Sequence, residues 1–264
     1  MADSNKPDDT RPTRADADDV AEAMIGFDTR IVRTVWDTII HTPRVLQAAY
    51  AGDRDLYIPI IRIFLILFGM QFAVMAFVGV PVSLTTESFA TTPEAAARLD
   101  AWLAAEGLDR AAVDQTLERA ASLSITALIL LSSLPYILLM KAYRPSRSFY
   151  GHVLAYLLTT NVSYIIMLPI LALAVFGNFL FWYLVSTTIG LLTYFAATAR
   201  IFASHYATTV AGVIFKTLGV VLLLPLSFII VGTGQFLVAE FALQTFHDTT
   251  FLDLMTTSLE NPSQ

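Results

Sequence analysis

The sequence predicts an all-α fold, a polytopic helical membrane bundle with about five transmembrane helices. First, 56% of the 264 residues are hydrophobic and only 14% are charged, whereas soluble domains usually carry about 25% charged residues. Second, most apolar residues fall in blocks of the roughly 20 residues that a helix needs to cross a bilayer. These blocks define a transmembrane domain at 58–240, with spans near 58–80, 121–140, 149–176, 179–199 and 213–239.

The segment before the first span is polar and then amphipathic. Residues 1–18 have little apolar content, so we expect a disordered cytoplasmic tail. Residues 19–57 are interpreted as cytoplasmic amphipathic helices, because Val20, Met24 and Phe27 recur at helical spacing. Such a helix can lie in the membrane interface with its apolar face towards lipid. Packing against a neighbouring protein surface is the alternative.

Two further segments are predicted to lie outside the lipid. Residues 82–120 are interpreted as an extracytoplasmic helical hairpin, in which Thr92, Pro93 and Glu94 form a helix start. Residues 241–264 are interpreted as an extracytoplasmic tail. The apolar residues of the hairpin are expected to pack it against itself, and they are Leu99, Trp102, Leu103, Leu108, Val113 and Leu117.

The last apolar stretch, from Val210 to Leu243, is longer than one bilayer crossing. Gly232 and Gly234 are candidate break points near its outer end. The sequence leaves open whether span five is one helix or is broken there. Prolines in or beside four spans can bend helices, and they are Pro59, Pro135, Pro169 and Pro225.

The uneven distribution of lysine and arginine predicts the orientation. Of the 16 basic residues, only Arg98, Arg110 and Arg119 lie in the hairpin. The others lie before or at the start of span one, in the loop after span two or around the loop after span four. Because basic residues favour the cytoplasmic side, the N-terminus is predicted to be cytoplasmic and the C-terminus extracytoplasmic.

Polar side chains inside the predicted spans are candidates for function, because lipid offers them no partner. Four of them recur along one face of span three. They form either the lining of a water-filled path or a buried seam of the bundle, and both interpretations stay open, with the seam preferred. Gln71 in span one needs a partner on another helix, for which Asn161 is a candidate. The set comprises Gln71, His152, Tyr156, Thr159, Asn161 and Ser163.

The sequence predicts no catalytic residues, no cofactor and no metal site. The chain has no cysteine, which excludes a disulfide framework, a thiolate nucleophile and cysteine metal ligands. It contains no HExxH, GxSxG, Walker or dinucleotide-binding motif. The net charge of −6 and the lack of a basic run argue against nucleic acid. The expected partners are the lipid bilayer and either another protein or a second copy of the chain.

Three segments carry spacings that occur together in one family. Residues 43–59 read P-x6-Y-x-G-x-R-x-x-Y-x-P, residues 147–152 form a shortened R-to-H element, and residues 200–206 read R-x5-Y. The chain thus resembles an uncharacterised bacterial multi-pass inner-membrane family, whose members often begin with a zinc ribbon that is absent here. The resemblance implies an inner (cell) membrane location and a shared cytoplasmic face, but no activity. It marks Arg54, Tyr57, Pro59, Arg147, Arg200 and Tyr206.

Three functions are compatible with these features. A non-catalytic scaffold or regulatory interaction protein is favoured by the amphipathic helix, the hairpin and the lack of catalytic motifs. The alternative is a transporter or channel subunit with a polar path along the third span. A lipid-modifying enzyme that uses His152 and His205 comes third, because no acid–base pair supports it.

Overall fold

A computed structural model describes residues 29–53, 55–78, 85–88, 90 and 92–259. Within these residues the regular secondary structure is helical and no strand occurs. Five helices are long and apolar enough to cross a membrane, so the predicted fold class, an all-α polytopic bundle, is confirmed. The predicted disordered tail, Arg54 and the first part of the predicted amphipathic helix, residues 19–28, lie outside the described residues.

The helices are numbered along the chain. They are α1 (Thr29–Ile40), α2 (Thr42–Ala51), α3 (Ile60–Val78), α4 (Pro93–Ala105), α5 (Arg110–Tyr143), α6 (Phe149–Ala172), α7 (Phe179–His205), α8 (Val210–Val221), α9 (Leu224–His247) and α10 (Phe251–Leu259). The candidate spans are α3, α5, α6 with the 3₁₀ turn that follows it, α7, and α8 together with α9.

Local capping chemistry explains where several helices begin. The Thr92 side chain accepts a hydrogen bond from the backbone N–H of Ala95 at 3.2 Å, which confirms the predicted start of α4. Ser148 and Asn178 cap α6 and α7 in the same way. These side chains satisfy backbone donors that have no partner within the helix.

Helix α6 lies at the centre of the bundle. It packs extensively against α3 and α7 and also contacts α1, α2 and α5. Helices α1 and α2 lie with the α5–α6 and α7–α8 loops at one end of the bundle, which we call the arginine end. The opposite end contains α4, the first turns of α5, the last turns of α9, and α10; we call it the hairpin end.

Helix α1 faces the bundle with two threonine side chains and with Ile31, which packs against a buried cluster. Thr34 and Thr38 are buried, whereas Val32, Trp36 and Ile40 are exposed. The Thr34 hydroxyl donates a hydrogen bond to the Arg30 carbonyl at 2.6 Å and accepts one from the Ile58 N–H at 3.0 Å. The exposed apolar stripe is therefore free to contact lipid.

The hairpin does not close on itself alone, contrary to the expectation from sequence. Its leucines pack against the end of α9 and against α10, which forms within the predicted tail. Two helices joined by one turn share a single interface, so part of their apolar surface requires a third element. The buried cluster consists of Leu99, Leu103, Val113, Leu117, Ala239, Leu243, Phe251 and Leu254.

The α-helix of span five is interrupted at Leu222 and Leu223, not at the glycines, although both residues keep right-handed helical backbone angles. Helix α8 ends at Val221 and α9 begins at Leu224, with Pro225 in the first turn of α9. Proline has no N–H and its ring clashes with the preceding turn, which interrupts a helix. Gly232 and Gly234 lie within the continuous helix α9. The question that the sequence left open is thus answered by the proline.

Candidate functional site

The segments that the sequence marks at the arginine end meet in space around Arg147. The guanidinium carbon of Arg147 lies 3.9 Å from the ring centroid of Tyr50 and 6.0 Å from that of Tyr206. The Tyr50 hydroxyl donates a hydrogen bond to the Gly151 carbonyl at 3.1 Å. Helix α2, the loop before α6 and the loop after α7 are thereby joined through one arginine.

His152 and Tyr206 form a buried pair beside Arg147. Nδ1 of His152 lies 2.8 Å from the Tyr206 hydroxyl, and the imidazole is 0% exposed. Burial raises the pKa of Tyr206, and the neighbouring Tyr50 adds to the effect. A phenol that keeps its proton can donate to Nδ1. The pair therefore connects α6 to the α7–α8 loop at neutral pH.

Four other basic side chains at this end donate to backbone carbonyls. Lys141 donates to the carbonyls of Pro145 and Arg147, each at 2.6 Å. Lys216 donates to the Tyr143 and Tyr206 carbonyls, as expected for a lysine reaching the end of its helix. These bonds satisfy groups near helix ends where intrahelical partners are lacking. Arg144 likewise donates to the His205 carbonyl, and Arg200 donates to the Ile39 carbonyl.

An open cleft of about 570 Å³ lies between α2, the α5–α6 loop and the end of α7. We call it the arginine-end cleft. No acidic residue occurs among the described residues that line it, whereas two arginines and one histidine do. Burial raises the pKa of Tyr50, which lines it too. The residues that matter for its chemistry are Arg44, Gln47, Tyr50, Arg147, Ser204 and His205.

The polar stripe of span three lies inside the bundle. Asn161 donates to the carbonyl of Ile60 at 3.1 Å, and Ser163 donates to the carbonyl of Gly190 at 2.8 Å. Thr159 donates to the Tyr156 carbonyl of its own helix at 2.7 Å. His152, Thr159 and Asn161 are fully buried, and Tyr156 and Ser163 are half-buried. The stripe runs along the contacts of α6 with its neighbours.

Gln71 and Asn161 do not meet, so the expected pairing is wrong. Asn161 contacts the first residue of α3 although it lies three turns inside α6. Both helices begin at the arginine end, but α3 begins about three turns deeper in the bundle than α6. Gln71, eleven residues after Ile60, therefore lies well beyond the level of Asn161. The Oε1 atom of Gln71 is buried without a hydrogen-bond partner among the described residues.

The residues marked by the family resemblance divide into two groups. Arg147 and Tyr206 lie together in the cluster just described. Tyr57 is buried elsewhere and donates to Oδ2 of Asp37 at 2.7 Å. Pro59 is exposed at the start of α3, and Arg200 bonds to the end of α1.

Sequence reasoning did not single out Tyr50, Arg44 or Asp37 as site residues. Tyr50 stood in the P-x6-Y run, which could have suggested a role for it. The roles of Arg44 and Asp37 depend on helix packing, which the sequence does not show. No group of three or more metal-ligating side chains occurs in the described parts of the chain.

No protein-family model, no curated protein and no solved structure matches the chain. The two polar features of the bundle are the seam along α6 and the cluster around Arg147.

Proposed function

We propose that this protein is a non-catalytic scaffold or regulatory interaction protein of a bacterial inner membrane. The observation that carries the proposal is the hydrogen bonding of Asn161 and Ser163 to the carbonyls of Ile60 and Gly190. A pore requires polar side chains that face a water-filled space. These side chains face neighbouring helices instead, and such bonds hold membrane helices together.

The proposed orientation places the arginine end in the cytoplasm. Basic residues are concentrated there, and the positive-inside rule assigns such a face to the cytoplasmic side. Helix α1 would lie in the interface, because Val32, Trp36 and Ile40 form an exposed apolar stripe beside the bundle. The hairpin end would then present its packed helices outside the cytoplasm.

Reconstitution into liposomes tests the proposal. The purified protein is expected to give the same solute and ion leakage as empty liposomes. Thr159→Val, which removes a hydroxyl bonded within α6, and Asn161→Leu, which removes a bond between helices, should leave leakage at that level. Flux that exceeds the empty control and falls in Asn161→Leu, in Thr159→Val or in both would overturn the scaffold assignment, because both residues belong to the polar stripe.

One observation favours the alternative, a transporter or channel subunit. Span five is interrupted between α8 and α9, and discontinuous helices often form substrate sites in transporters. The Thr217 hydroxyl lies buried near this break without a partner in the described part of the chain. If this alternative holds, Pro225→Ala should change flux, since it permits a continuous helix. If the protein is a scaffold, neither the wild type nor Pro225→Ala should give flux.

A further inference from the structure

We propose that the arginine-end cleft binds a phosphate group, supplied by an anionic phospholipid headgroup or by free phosphate. This inference goes beyond a scaffold role and does not depend on it. Three features support it. The cleft is positively charged, the guanidinium group of Arg147 is ordered but one of its nitrogens lacks a hydrogen-bond acceptor among the described residues, and the cleft lies next to the apolar surface.

The cleft is positively charged and has no internal counterion. Arg44 and Arg147 line it together with His205, and none of the described lining residues is acidic. The carboxylate of Asp37, on neighbouring α1, is already bonded to Tyr57 at 2.7 Å and His41 at 3.1 Å. That carboxylate interacts electrostatically with Arg44, whereas Arg147 forms no ion pair with a carboxylate among the described residues. The unbalanced positive charge of the cleft is therefore that of Arg147.

Arg147 is partly exposed and, in the described part of the chain, has a side-chain nitrogen without a hydrogen-bond partner. Its Nη1 atom is buried and finds no hydrogen-bond acceptor among the described residues. A buried polar group without a partner is costly, and more so when it is charged. Phosphate oxygens match the planar fork of a guanidinium group and can accept two parallel hydrogen bonds. Because the side chain as a whole is partly exposed and lines the cleft, a phosphate bound there would contact the accessible part of the guanidinium group and balance its charge.

The guanidinium group is also held in place before any ligand binds. It stacks 3.9 Å from the Tyr50 ring centroid, and the Tyr50 hydroxyl is tied to the Gly151 carbonyl. The Arg147 carbonyl accepts from Lys141, which holds its backbone. A side chain ordered in advance loses less conformational entropy on binding. By contrast, Lys141, Lys216 and Arg144 already donate to backbone carbonyls.

The position of the cleft suits a lipid headgroup. Two residues after Arg147, the apolar surface begins with Phe149 and Tyr150, which are 47% and 59% exposed. Arg147 thus lies at the boundary between apolar and polar surface, where phosphates of a bilayer are found. The volume of about 570 Å³ exceeds that of a phosphate ion, which leaves room for the glycerol of a headgroup.

Native mass spectrometry of the full chain in detergent provides the test. Binding of phosphatidylglycerol is compared with binding of diacylglycerol with the same acyl chains, which lacks the phosphate. Thermal unfolding with and without inorganic phosphate forms the second arm. The variants are Arg147→Gln and Arg44→Gln. The matched control is Arg62→Gln, an exposed arginine at the start of α3 that does not line the cleft.

We expect the wild type to prefer phosphatidylglycerol, and each cleft variant to bind it about tenfold more weakly, because each loses a charge-assisted hydrogen bond. Arg62→Gln should bind like the wild type. Stabilisation by inorganic phosphate that Arg147→Gln abolishes, without a lipid preference, would assign the site to free phosphate. Because Arg44 is exposed, Arg44→Gln keeps the test valid if Arg147→Gln fails to fold.

Two results would overturn the proposal. One is equal binding of both lipids by the wild type together with no effect of inorganic phosphate. The other is an equal loss of phosphatidylglycerol in Arg62→Gln and in the cleft variants, since this would reflect general attraction between basic residues and anionic lipid.

Discussion

A hydrogen bond from Tyr57 to Asp37 joins the start of the first span to α1. Burial works to raise the pKa of the Asp37 carboxyl, but hydrogen bonds from Tyr57 and His41 hold it below its usual value. Burial and the bond to Asp37 raise the pKa of Tyr57 to about 12. The phenol therefore keeps its proton and the carboxylate keeps its charge at neutral pH.

Tyr57→Phe should lower the free energy of unfolding by about 1 kcal/mol at pH 7, because it removes a charge-assisted bond to a partly exposed carboxylate. A carboxyl whose pKa is lowered by folding stabilises the folded state fully at pH values above its pKa in the unfolded chain, which is near 3.9. This stabilisation is lost as the pH falls through the folded value. The difference between wild type and variant should accordingly shrink as the pH falls through the lowered pKa of Asp37.

Thermal unfolding in detergent at several pH values measures this difference. The control is Tyr150→Phe, because Tyr150 is exposed and its hydroxyl should not contribute. A Tyr57→Phe difference that persists unchanged at low pH would contradict the assigned role of Asp37.

At the scale of helices, α5 and α9 approach closely at one glycine. A Cβ atom built on Gly234 would overlap the side chain of Leu128 on α5, whereas one built on Gly232 meets nothing within 4 Å. Small residues allow membrane helices to pack closely. The two glycines, which sequence reasoning treated alike, thus have different surroundings.

Gly234→Leu should destabilise the α5–α9 pair by about 1–3 kcal/mol, the usual cost of overpacking. Gly232→Leu should be close to neutral, since its side chain would enter open space. Unfolding in mixed detergent micelles compares the two variants. Equal stability of the two would show that the close approach at Gly234 contributes nothing.

At the scale of the whole molecule, the hairpin end is built from parts of the chain that are distant in sequence. Leu254 of α10 is fully buried against the leucines of α4, whereas Leu252 on the same helix is 51% exposed. We expect Leu254→Ala to cost about 2–4 kcal/mol and Leu252→Ala less than about 0.5 kcal/mol.

Amide hydrogen exchange locates the effect of these variants. Leu254→Ala should raise exchange in α4 and leave the buried turns of α6 unchanged, because the two ends have separate buried clusters. Unaltered exchange in α4 would contradict the contribution of α10 to the hairpin end.

The orientation of the molecule can be measured directly because the chain has no cysteine. Glu106→Cys lies in the hairpin turn and Ser146→Cys in the α5–α6 loop, and both positions are exposed. In intact cells, a membrane-impermeant maleimide should label Glu106→Cys only. Labelling of Ser146→Cys alone would reverse the proposed orientation.

Much of the fold follows from local properties of the sequence. Hydropathy depends only on neighbouring residues, so the apolar blocks predicted five membrane-crossing segments, in agreement with the helices found. Capping is also local, which is why Thr92 correctly predicted the start of α4. Prolines were recognised as bending candidates, but hydropathy could not tell Pro225, which interrupts span five, from the glycines that do not.

Only the tertiary structure decided which helices touch and at what offset. The depth of α3 relative to α6 separates Gln71 from Asn161, and the folding back of α10 covers the leucines of α4. The cleft around Arg147 likewise requires α2 and the end of α7 to meet. The physical reason is that membrane insertion depends on the hydrophobicity of each segment alone, whereas helix association depends on side chains brought together from distant segments.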